Sequence, residues 1–92
     1  MDRTMAEALA LQALGWLARE PERAGAFLDA AGCAPEDLRA RIAEPAFLGF
    51  VLDHVLAEDE SVIAFAGEVD APPERVRLAR ASLPGGDAPE WT

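Results

Sequence analysis

The chain has 92 residues, with 17 carboxylates against 8 cations (all arginine), for a formal charge of -9. That length holds one small domain, and a hydrophobic fraction of 51% argues against wholesale disorder. One cysteine and one histidine exclude an internal disulfide and a Cys/His zinc cluster, and the acidic balance argues against nucleic acid or an anionic membrane as a partner.

Taken in chain order, the sequence predicts six helices. Thr4 with Glu7 three residues later reads as a capping box that opens helix 1 over 4–19. Met5, Leu9, Ala13, Trp16 and Leu17 share its apolar face. The stretch 5–18 carries Glu7 and Gln12 and falls short of the roughly 20 apolar residues that span a bilayer. It also lacks the basic flank of a secretory signal, so a cytoplasmic protein is expected. Helix 2 opens at Pro21, a favoured first helical position, and closes at Gly32. There Leu28 and Cys33 are the hydrophobic pair of a Schellman cap. Ala24, Phe27, Leu28 and Ala31 form its face.

Pro35 opens helix 3 over 35–43, with Leu38 and Ile42 inward. Pro45 opens helix 4 over 45–57, apolar over more than half its circumference through Phe47, Leu48, Val51, Leu52, Val55 and Leu56. This helix is expected to be central and most buried. Asp59 is expected to cap helix 5 over 60–69, whose face is Val62, Phe65, Ala66 and Val69. Pro73 opens helix 6 over 73–83, facing inward through Val76, Ala79 and Leu83. No alternating run rich in β-branched residues suggests a strand. Residues 84–92 have the Pro- and Gly-rich composition of a disordered tail. The expectation is an all-α bundle over 1–83, a single domain.

A shift of 38 residues lays helices 1–3 on helices 4–6, with ten identities over the 37 pairs 7–43 and 45–81. Phe27 meets Phe65, Pro35 meets Pro73, Glu36 meets Glu74 and Arg39 meets Arg77. The three alanine identities carry little weight in an alanine-rich chain. The alignment predicts two three-helix units packed about a pseudo-two-fold axis.

The run Ala8-Leu9, Gln12-Ala13-Leu14, Trp16-Leu17, Glu20-Pro21, Phe27-Leu28, Gly32, Pro35 and Asp37-Leu38-Arg39 continues with Phe47-Leu48, Val51-Leu52-Asp53, Phe65-Ala66 and Pro73. Over 6–83 it resembles the bacterial family known as domain of unknown function 3572. The resemblance implies an all-α, cytoplasmic bacterial protein. Its motifs are apolar and capping positions, so it implies no activity and no site residues.

Chemistry has few candidates. Cys33 and His54 would need mutual hydrogen bonding and a third orienting group to act as nucleophile and base; Cys33 reads better as a cap residue and His54 as the rim of the core. Glu58-Asp59-Glu60 with Asp53 offers carboxylates for a cation but lacks the alternating loop of a calcium site. Ser61 after Asp59-Glu60 faintly matches an acyl-carrier attachment site and reads better as a helix-cap serine. Arg75, Arg77 and Arg80 form a basic cluster suited to pairing with the acidic middle of the chain, where residues 33–70 carry -7. No cofactor or metal is expected.

Leu11 and Leu14 lie off the main stripe of helix 1, either sandwiched in the bundle or exposed as a contact surface. Trp91 is a candidate docking anchor. The leading expectation is a non-enzymatic protein–protein interaction module whose partner is another protein or a second copy. Two alternatives are an acidic mimic that occupies a nucleic-acid-binding protein, and an enzyme or acyl-carrier-like protein using Cys33 or Ser61.

Overall fold

A computed structural model describes residues 1–85. Trp91 and most of the expected tail lie outside the described residues. The described chain is all-α: α1 (Arg3–Ala18), α2 (Pro21–Ala31), a 3-10 turn (Pro35–Asp37), α3 (Leu38–Arg41), α4 (Pro45–Leu56), α5 (Asp59–Glu68) and α6 (Pro73–Ala81). No helix among the described residues is long and apolar enough to cross a membrane.

Prolines and acids set the helix starts. Pro21, Pro45 and Pro73 each occupy the first turn of their helix, where a missing N–H leaves nothing unpaired. Helix 1 departs from expectation. Asp2, not Thr4, is the N-cap, and its carboxylate accepts the Met5 N–H at 2.9 Å. A carboxylate at that end also suits the helix dipole. Helix 5 likewise begins one residue early, with Glu58 at the N-cap and Asp59 inside the first turn.

The predicted third helix is split. Its first turn is 3-10, tied by the Asp37 carboxylate accepting the Ala34 N–H at 3.1 Å. The α-helical part ends at Arg41. Pro45 disfavours helical backbone at the residue before it, and Glu44 is accordingly extended at φ -97°, ψ 116°. No residue of this segment is fully buried, so packing does not compel a longer helix.

Helix α4 is central. Val51, Leu52 and Val55 have no exposed surface, and α4 packs on α1, α5 and α6. Around it the core gathers Leu9, Trp16 and Leu17 of α1, Phe27 of α2, Val62 and Phe65 of α5, and Val76, Ala79 and Leu83 at the end of the bundle. Each fully buried large side chain of this kind contributes about 1.5–3 kcal/mol. Met5, expected in the core, is 47% exposed. The closest packing of α1 falls instead on Ala6, Ala10 and Ala13, all with no exposed surface, so small residues form the centre line and Met5 sits at its edge.

Two helix ends 38 residues apart are capped alike. Gly32 ends α2 in the left-handed region at φ 66°, with the Cys33 N–H donating to the Leu28 carbonyl and the Gly32 N–H to that of Asp29, both at 3.3 Å. After α5, Asp70 is left-handed at φ 57°. The Ala71 N–H donates to Ala66 at 2.9 Å and the Asp70 N–H to Gly67 at 3.3 Å. Both are Schellman caps, and all four hydrogen-bonded positions correspond under the shift. Phe27 and Phe65 also correspond, 1% and 0% exposed.

Candidate interaction surface

The outward side of α1 is built from small and neutral residues. Thr4, Ala8, Leu11, Gln12, Gly15 and Ala18 are all exposed, and Leu11 is 44% exposed. None carries a charge, in a chain where 27% of residues do. At Gly15 a Cβ would meet nothing within 4 Å, so the backbone itself lies open along this face. Leu14, the second candidate on this helix, is half-buried and packs against the core. The structure therefore separates the two leucines: Leu11 is presented outward and Leu14 belongs to the bundle.

Beside this face runs an open groove of about 520 Å³ lined by Gln12, Gly15, Trp16, Arg19, Glu68 and Val69. Arg19 and Glu68 pair across it at 3.1 Å. Both side chains are about half exposed, so the pair contributes at most about 1 kcal/mol and can open for a partner. The floor is firmer. The Arg23 guanidinium lies 4.0 Å from the Trp16 ring centroid and donates from Nη2 to the Trp16 carbonyl at 2.9 Å. That cation–π stack fixes the indole.

A second groove of about 260 Å³ lies between α2 and α4, bounded by Ala30, Ala31, Arg41, Glu44, Ala46 and Phe50. The Arg41 guanidinium stands 4.8 Å from the Phe47 ring centroid and pairs with Glu44 at 3.4 Å. Phe27 packs on Phe47, Phe50 and His54 behind it, with centroid separations of 5.9, 5.7 and 5.3 Å.

The structure places the candidate chemical groups in three different parts of the fold. Cys33 is half-buried in the α2 cap, and His54 meets Phe27 edge-on. No hydrogen bond joins Cys33 to His54 among the described residues. Ser61 is half-buried in the first turn of α5. Among the described residues, no group of three or more His, Cys, Asp or Glu side chains is placed to hold a metal ion.

Asp53 is not grouped with the acidic run. It receives Arg80 in a fork, Nε to Oδ1 at 2.6 Å and Nη2 to Oδ2 at 3.0 Å. Arg75 and Arg77 are exposed, so the basic cluster is divided as well. Arg80 is only 15% exposed and also donates from Nη1 to the Pro84 carbonyl at 2.9 Å. A Cβ on Gly49 would lie 2.7 Å from that Nη1 and 3.1 Å from the Pro84 oxygen. Glycine at 49 is thus what lets the arginine cross α4. Sequence reasoning gave Gly49 no role; a lone glycine within an otherwise apolar helix was the available signal. It also missed three exposed apolar side chains, Met1, Ile63 and Leu78.

No curated protein and no solved structure matches the chain. The family model described as "Protein of unknown function (DUF3572)" matches residues 3–86, which is the whole helical bundle, and the chain belongs to that family.

Proposed function

We propose that the protein is a non-enzymatic interaction module of the bacterial cytoplasm that docks another protein, or a second copy of itself, on the outer face of α1 and the groove beside it. The observation that carries this reading is the uncharged face Ala8–Leu11–Gly15–Ala18 on a chain of net charge -9. Desolvating charged groups costs binding energy, and the charges that line the groove beside this face are one pair, Arg19 and Glu68. Leu11 supplies an apolar knob, and the groove offers a fixed indole at its floor. Carboxylates elsewhere on the chain would steer a basic partner and raise its rate of encounter.

The test compares affinity capture from the protein's own cell extract using wild type, Leu11→Arg and Ile63→Arg, with light scattering to give the mass of the free protein. A stoichiometric partner, or a dimer, that is lost with Leu11→Arg and kept with Ile63→Arg supports the reading. Capture that ignores Leu11→Arg but collapses at high salt overturns it in favour of the acidic residues as the contact.

A further inference from the structure

One side chain holds the stretch that follows α6. We propose that Leu83–Gly85 form a strap latched by the Arg80 guanidinium, and that this strap opens as a unit, lifting Leu83 from the core while the helices stay folded.

The strap has little else to hold it. Helix α6 ends at Ala81, so helical backbone does not fix Leu83. Among the described residues the strap makes one main-chain hydrogen bond, from the Leu83 N–H to the Arg80 carbonyl at 3.2 Å. Pro84 has no N–H to donate. The remaining polar contacts come from the Arg80 side chain, whose Nη1 donates to the Pro84 carbonyl at 2.9 Å and lies 3.4 Å from that of Leu83. Leu83 is nonetheless 2% exposed and belongs to the core. Lifting the strap therefore uncovers apolar core without unwinding a helix.

The latch closes on α4. The same guanidinium grips Asp53 through Nε and Nη2, at 2.6 and 3.0 Å. A planar fork that engages a carboxylate on that edge has Nη1 left for carbonyls, and this is the division observed. Two glycines make room for it. A Cβ on Gly49 would lie 2.7 Å from Nη1, and one on Gly85 would lie 3.0 Å from Nη2. Gly85 is also left-handed at φ 86°, a conformation that glycine adopts without strain.

This ion pair differs from the other three among the described residues, in which every side chain is at least 36% exposed. Arg80 is 15% exposed and Asp53 is 52% exposed. The cation is withdrawn from water while its anion stays within reach of solvent. Without Asp53, the arginine would be a mostly buried charge with no counter-ion, a costly state. Swinging out to water relieves it and releases both strap carbonyls, which is the opening step.

Native-state amide hydrogen exchange on the full chain tests this. In the wild type, Leu83 should exchange faster than Val55 of α4 and with little dependence on added urea, the mark of a local opening that exposes little surface. Asp53→Asn keeps the shape and removes the charge, whereas Arg80→Lys keeps the charge and loses the fork. Each should speed exchange at Leu83 by roughly tenfold, as expected for a charged hydrogen bond. Arg3→Gln, which breaks the exposed pair with Glu7, should leave it unchanged. Leu83 matching Val55 in both rate and urea dependence would overturn the proposal, because the segment would then open only with the whole bundle. So would a wild-type rate at Leu83 in both latch variants. Gly49→Ala displaces the guanidinium while Asp53 and Arg80 both remain, and it should reproduce the Asp53→Asn rate; a wild-type rate there would also count against the latch.

Discussion

The stretches 20–33 and 58–71 share their starts and stops, yet the elements that follow them part company. Both begin with an extended glutamate, Glu20 or Glu58, as N-cap. Both bury one phenylalanine and end in a left-handed cap with the same hydrogen bonds. Beyond the cap, Pro35 opens a 3-10 turn and a four-residue helix with nothing fully buried, whereas Pro73 opens a nine-residue helix that buries Val76 and Ala79. The divergence follows from partners. Helix α6 packs on α1, α4 and α5, while the principal contact of α3 is its own 3-10 turn. Similar local signals thus give similar starts and stops, and tertiary burial decides how much helix lies between them.

The largest expected effects test the shared part. Phe27→Ala and Phe65→Ala should each cost about 3–5 kcal/mol, a large share of the 5–15 kcal/mol that holds a typical domain together. Urea unfolding midpoints measure both. A Phe27 variant close to wild type would break the parity between the stretches.

The next test sharpens the difference. Val76→Ala should cost about 2 kcal/mol from a site with no exposed surface. Leu38→Ala removes a larger side chain from a half-buried site and should cost only about 1 kcal/mol. The reverse order would mean that α3 is held more tightly than its packing indicates.

The caps give opposite signs. Gly32→Ala forces a Cβ into the left-handed region and should destabilise by about 1 kcal/mol. Asp70→Gly relieves the same strain and should stabilise by about 0.5 kcal/mol, because aspartate tolerates that region better than most residues. Thermal melts resolve both. Smallest of all, Leu11→Arg should leave stability within about 0.5 kcal/mol of wild type while abolishing partner capture, which separates docking from folding.

Much of this fold was legible in the residues. Prolines at first helical positions, Gly32 past the end of α2 and the dense apolar pattern of α4 each have a local physical cause. Asp2 was overlooked because Thr4 with Glu7 formed a more complete capping box. Asp70 was overlooked because aspartate does not advertise a left-handed cap as glycine does. Met5 was misplaced because periodicity gives the direction of a side chain and says nothing about how closely two helices approach. The surface was only half legible. Charge-free residues on α1 could be counted, but the exposure of Leu11 and the burial of Leu14 depend on where α4 and α6 settle. Arg80 crossing at Gly49 joins residues 31 apart, and no local pattern encodes that meeting.

The Ser82 hydroxyl donates to the Met1 carbonyl at 2.8 Å, and α1 packs on α6 as well as on α4. Helix α1 therefore finds a main partner in the helix farthest from it along the described residues. Until α6 docks, the apolar face of α1 has part of its permanent covering missing. Closing this core thus waits on α6, and a chain cut before residue 73 would leave the apolar face of α1 partly bare.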